Sequence, residues 1–194
     1  MTKKLVSLFL ALVMALSLTA AFAESTAVTV TDMAGREIAL DAPATKVVAL
    51  TASDCEILAA LGAEDTLVGR GEYCDYPESV LEVPAVQSGA DTNLEQIIAL
   101  EPQVVVMAKM AQTEEQVAAL EKAGIRVVVS DAQDIEGVYT AIRLIGALVG
   151  RNDEAEAMVA DMQSTFADIA AKSENTGKTG KPDRYFTYVA GEYY

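Results

Sequence analysis

A ring, a cation and a thiol sit within five residues of one another in the run R-G-E-Y-C-D-Y-P, residues 70–77. Tyr73, close to Gly71, can bury a large flat area with few torsions to freeze, the chemistry by which a protein holds a flat or bulky ligand. Its plainer role is to pack its own loop. Tyr76, before Pro77, reads as structural. Arg70 and Lys109 can pair with anionic groups of a ligand, or be ordinary solvated charge. Cys55 and Cys74 are the only cysteines. A disulfide between them closes a loop of about twenty residues and contributes roughly 3 kcal/mol; two free thiols fit equally well. Metal ligation by two Cys without His is the least favoured alternative, so no metal site is expected.

These residues do not add up to catalysis. The chain has no His, which removes the commonest general base and the commonest transition-metal ligand. Neither a nucleophile–base pair nor a carboxylate dyad is visible. No GxxxxGK[ST] phosphate loop occurs, and Gly69-Arg70-Gly71 is only a fragment of a GxGxxG. The expectation is a non-catalytic binding module that needs no cofactor. The net charge of −15 repels nucleic acid and anionic membranes alike.

The elements that must position these residues follow from the apolar pattern. Residues 28–40 alternate on either side of Asp32 to Arg36, with Gly35 able to take a positive φ, and predict a hairpin. Residues 46–50, 66–69, 104–108 and 125–129 are short apolar runs suited to strands buried on both faces. Helical patterns separate them. Ser53 or Asp54 is the expected cap of the first helix, Thr92 with Glu95 forms an expected capping box, Thr113 with Gln116 a second, and Asp134 caps a further helix. Residues 70–91 read as one long connection. Asn152 opens a helix to about Lys172, roughly 30 Å long, with Val159, Met162, Phe166 and Ile169 as its inner stripe. Residues 175–182 read as a linker, and 184–190 as a further strand. Strand alternating with helix is the pattern of a parallel α/β sheet, whose ligands bind beyond the C-terminal strand ends. That puts Thr51 to Ser53, Arg70 to Tyr73, Lys109 with Met110, and Ser130 with Asp131 on one rim.

The N-terminus reads as an export signal: Lys3 and Lys4, an apolar run from Leu5 to Leu18, then Ala21-Phe22-Ala23. Cleavage is expected near Ala23–Glu24. No Cys lies at the cleavage point to carry a lipid anchor.

In order and spacing, the stretches T-D-M-A-G-R-E-I, V-V-A-L-T-A-S-D-C-E-I-L-A-A-L-G, G-E-Y-C-D-Y-P, N-L-E-Q-I-I-A-L-E-P-Q-V-V-V-M and E-Q-V-A-A-L-E-K-A-G-I-R-V resemble the substrate-binding proteins of ABC importers for cobalamin and ferric siderophores. The resemblance implies an α/β fold: a Rossmann-like parallel-sheet lobe with helices on both faces, then a long connecting helix. A second lobe would be absent or truncated. The domains would run 1–23 (signal peptide), 24–150 (ligand-binding lobe), 151–174 (connecting helix) and 175–194 (linker and first strand of the other lobe). It further implies a monomer in the periplasm or at the outer face of the cytoplasmic membrane, which captures a metal chelate and delivers it to an ABC permease. Tyr73 would match an aromatic position that contacts the corrin ring in a cobalamin-binding relative; Arg70, Lys109, Ser53 and Asp131 would complete the ligand rim. Glu95 would match a permease-docking glutamate, with Glu56 as a second. The run G-E-Y-C-D-Y-P favours cobalamin or another corrinoid, a ferric siderophore coming next; haem is handicapped by the missing His. The alternatives are a zinc- or manganese-binding importer protein, an enzyme of a related two-lobed fold, and an orphan lobe serving as an interaction protein.

Overall fold

Val47, Val48, Val104 to Val106 and Val127 to Val129 are β-branched residues in short runs, and each run is a strand buried on both faces. In the computed structural model, which describes residues 27–89, 91–108 and 113–175, the elements run β1 (Val28–Thr31), β2 (Glu37–Leu40), β3 (Val47–Ala49), α1 (Ala52–Ala60), β4 (Leu67–Gly71), β5 (Ala85–Val86), α2 (Leu94–Ala99), β6 (Val104–Met107), α3 (Glu114–Lys122), β7 (Arg126–Val129), α4 (Ile135–Leu148) and α5 (Asn152–Asn175). Strands β1 and β2 form an antiparallel hairpin whose turn places Gly35 at φ +80°, a conformation that side chains other than glycine rarely adopt. The other five described strands form a parallel sheet in the order β5-β4-β3-β6-β7.

The strand order reverses between β3 and β6. Residues alternate between the sheet faces, so Val48, Val105 and Val127 turn to one side. There they meet Ile97 of α2 and Leu120 of α3 in one buried cluster. Val47, Val104, Val106 and Val128 turn to the other side, which α1 and α4 cover with Leu58, Leu61, Ile142 and Ile145, all buried. The expected α/β lobe with helices on both faces is therefore present.

Several elements differ from those the sequence predicts. Residues 70–91 are not a plain connection: they contain a one-turn 3-10 helix, Glu78–Glu82, and the two-residue strand β5. Two residues carry no detectable period. Thr51, not Ser53 or Asp54, caps α1 by accepting from the Asp54 amide. Asn93, not Thr92, caps α2 by accepting from the Gln96 amide at 3.0 Å, while Thr92 is buried and donates to the Gly89 carbonyl at 2.6 Å. The Thr113–Gln116 box and the Asp134 cap occur as expected.

Helix α5 belongs to a second unit that begins at Asn152. Of its expected inner stripe, Val159 is fully buried and Met162 half-buried, whereas Phe166 and Ile169 are 45% and 56% exposed. The expected signal segment, the 175–182 linker beyond residue 175, and the 184–190 strand lie outside the described residues. No described helix is long and apolar enough to cross a membrane.

Candidate functional site

Each parallel strand ends on the same side of the sheet, and the reversal between β3 and β6 opens a crevice there. A cavity of about 280 Å³ occupies it, lined by Ser53 after β3, Ala108 after β6, Ser130 and Asp131 after β7, and Ile57 and Val138 from α1 and α4. Three of the expected rim residues, Ser53, Ser130 and Asp131, thus share one cavity. A larger cavity of about 450 Å³ lies between the hairpin and α3, but there Arg36 and Glu121 pair with each other at 3.4 Å, leaving fewer free polar groups for a ligand.

Next to Ser53 of the smaller cavity's wall is Asp54, which the sequence offers only as a helix cap. Its side chain is fully buried. It accepts from the Thr51 hydroxyl, and its Oδ1 has no hydrogen-bond partner among the described residues. Burial raises its pKa from 3.8 to about 6, against the opposing pull of the Thr51 and Ser130 hydroxyls. A buried carboxyl at the first turn of a helix that follows a strand was in principle legible; its missing partner was not.

Beyond β4 the loop presents Tyr73, 77% exposed, and Tyr76, 67% exposed. Both rings therefore face solvent, and Tyr76 is not packed away as its place before Pro77 suggested. Arg70 has a different setting from the free rim cation expected. It is buried, and its guanidinium donates to the carbonyls of Val83 at 3.1 Å, Gly71 at 3.3 Å and Cys74 at 2.9 Å. Those bonds hold the turn from which Tyr73 projects. Gly71 is needed in the same turn, because a Cβ there would stand 2.4 Å from the Leu50 carbonyl oxygen. Lys109 and Met110 lie outside the described residues.

Cys55, in the first turn of α1, and Cys74, in the β4 loop, are both fully buried free thiols. The chain brings their sulfurs to one carbonyl oxygen, Ala49 O, at 3.8 and 3.9 Å. Glu95 and Glu56 are exposed. Since Asn93 is the α2 cap, Glu95 is not the reciprocal partner in a capping box, and helix capping does not account for it.

Comparisons with known proteins agree on what this architecture is similar to. The family model for periplasmic binding proteins matches residues 47–193. An uncharacterized ABC transporter substrate-binding lipoprotein of Bacillus subtilis, YvrC, is 32% identical over 154 residues, covering 78% of this chain and 49% of its own. A vitamin B12-binding protein of Salmonella typhi is 33% identical over 138 residues, covering 71% of this chain and 50% of its own. The crystal structure of a periplasmic heme binding protein from Pseudomonas aeruginosa superposes with a TM-score of 0.62 at 26% identity, over 69% of this chain and 49% of that one. The chain spans about half the length of the curated relatives it matches.

Proposed function

We propose that this chain, which belongs to the periplasmic binding protein family, is the ligand-capturing lobe of an ABC importer's substrate-binding protein. It takes up a metal chelate outside the cytoplasm, a corrinoid by preference, and presents it to a permease in the cytoplasmic membrane. The observation that carries the reading is the pair of exposed rings, Tyr73 and Tyr76, in the loop after β4, at the same end of the sheet as the switch-point crevice. Exposed aromatic area is costly to leave in water and suits a large, flat ligand.

Charge supports a corrinoid over an anionic chelate. Arg70 is committed to backbone carbonyls, and among the described residues that line the crevice the charged one is a carboxylate, Asp131. A ligand edged with neutral hydrogen-bonding groups meets less repulsion there than one edged with carboxylates. Ser53 and Asp131 supply hydrogen-bond partners on the cavity wall. In this reading residues 1–23 direct export and are removed, α5 connects the lobe onward, and exposed Glu95, with Glu56, meets basic residues of the permease.

Titration of the chain with cyanocobalamin, a ferric siderophore and haemin, followed by absorbance, tests this. Cyanocobalamin is expected to bind, and Tyr73→Ala to weaken it about tenfold without changing the melting temperature. Binding of haemin or the ferric chelate in place of cyanocobalamin overturns the corrinoid preference; retention of none of the three overturns chelate capture by this chain.

A further inference from the structure

We propose that Cys55 and Cys74 are a dithiol–disulfide pair whose oxidised form staples the Tyr73 loop to the first turn of α1. Three observations converge on it. The two sulfurs share the Ala49 carbonyl oxygen, at 3.8 and 3.9 Å, which brings both side chains to one point of the fold. Both are fully buried, a setting in which a disulfide loses no solvation that two thiols would keep. The surrounding turn is built tightly: Gly71 leaves room for the Cys74 sulfur, 3.3 Å from where a Cβ would lie, and Arg70 holds the Cys74 carbonyl at 2.9 Å.

The neighbourhood also supplies the proton chemistry. The Cys55 thiol beside it, with help from the Gly71 backbone and Arg70, lowers the Cys74 pKa against the cost of burial. Cys74 in turn, together with burial, raises that of Cys55. Cys74 is therefore the nucleophile. Its thiolate attacks a disulfide-bearing oxidant and expels one thiolate. The Cys55 sulfur then attacks the mixed disulfide, passes its proton to the neighbouring Asp54 carboxylate and expels the second thiolate. The oxidant's S–S bond breaks in the first attack, and the Cys55–Cys74 bond forms as the bond between Cys74 and the oxidant's remaining sulfur breaks in the second. Two electrons pass to the oxidant, which leaves as two thiols carrying the two protons lost. Tyr73 is the residue before Cys74, so the staple sets how firmly the ring is held, a consequence that rests on the function proposed above.

The full chain is refolded in buffers of oxidised and reduced glutathione, alkylated with iodoacetamide and weighed. In excess oxidised glutathione the expected species is lighter by two hydrogens and carries no alkyl group. Its amides at residues 72–76 exchange about tenfold more slowly than in the dithiol form. A Cys74→Ser chain shows one alkylated cysteine and the faster exchange in both buffers. Two alkylated cysteines in the oxidising buffer overturn the proposal, as does glutathione retained on a single cysteine, or equal loop exchange in the two forms. No readout involves a ligand, so a failure here is separate from a failure of chelate capture.

Discussion

Asp32→Ala is expected to lower the unfolding free energy by about 3 kcal/mol, read as a fall in the urea midpoint at unchanged slope. Asp32 sits in the turn between β1 and β2 and is 4% exposed. Its Oδ1 accepts from the amides of Ala34 at 3.0 Å and Arg36 at 2.8 Å. Its Oδ2 accepts from Arg36 Nε at 3.0 Å, Arg36 Nη2 at 2.8 Å and the Val129 amide at 3.1 Å. The last bond ties the hairpin to the end of β7, and Arg36 reinforces it by donating to the Val127 carbonyl at 3.0 Å. Truncation leaves these donors unpaired where water enters poorly, so the cost exceeds that of a surface ion pair. Burial alone pushes the Asp32 pKa up, but the backbone amides of Arg36 and Val129 and the Arg36 guanidinium together outweigh it, and the net pKa is lowered below 3.8. A carboxylate whose folded pKa is depressed stabilises the fold above its unfolded pKa and loses that contribution as the pH falls through the folded value. The cost of Asp32→Ala should accordingly shrink in acid below pH 3.8. A midpoint equal to that of the parent chain at neutral pH would remove Asp32 from this role.

Asp54→Asn should act in the opposite sense. The Asp54 pKa rises from 3.8 to about 6 on folding, with burial as the main cause. The folded chain thus binds its proton more tightly than the unfolded chain. Stability from this group is complete below pH 3.8 and declines as the pH rises toward about 6. A shift of this size corresponds to about 3 kcal/mol of stability lost by neutral pH. Asn keeps the shape without the charge, so the variant should lack this slope and exceed the parent in stability at neutral pH by up to about 3 kcal/mol. Below pH 3.8 the two should converge. Thermal melts at a series of pH values decide it; a slope that survives in the Asn variant would assign the pH dependence to another group.

The parallel sheet was legible because buried β-branched strands and capped amphipathic helices leave strong local periods. Val104 to Met107 and Ile135 to Leu148 needed no knowledge of their neighbours. The rim was legible for the same reason: once strands and helices alternate in parallel, every strand's C-terminal end falls on one side, and Ser53, Tyr73 and Asp131 follow. The cap of α2 was misread by one residue because Thr92 and Asn93 are both good caps, and only the carbonyl of Gly89, which takes the Thr92 hydroxyl, separates them. Strand β5 left no trace, since its pairing with Arg70 and Gly71 depends on a partner fifteen residues away.

By itself, then, the order of residues determined the α/β alternation, the hairpin with its glycine, and the end of the sheet at which Ser53, Tyr73 and Asp131 lie. Which side chains serve that end was decided by the tertiary structure. Arg70 looks like a ligand cation in sequence and is turned inward by three carbonyls. Asp54 looks like a cap and is a buried acid at the crevice. Cys55 and Cys74 meet at Ala49 across nineteen residues of chain. The physical reason is common to all three: periodicity reports which face of an element is apolar, a local property, whereas the use of a polar group depends on the partners folding brings within about 3 Å of it.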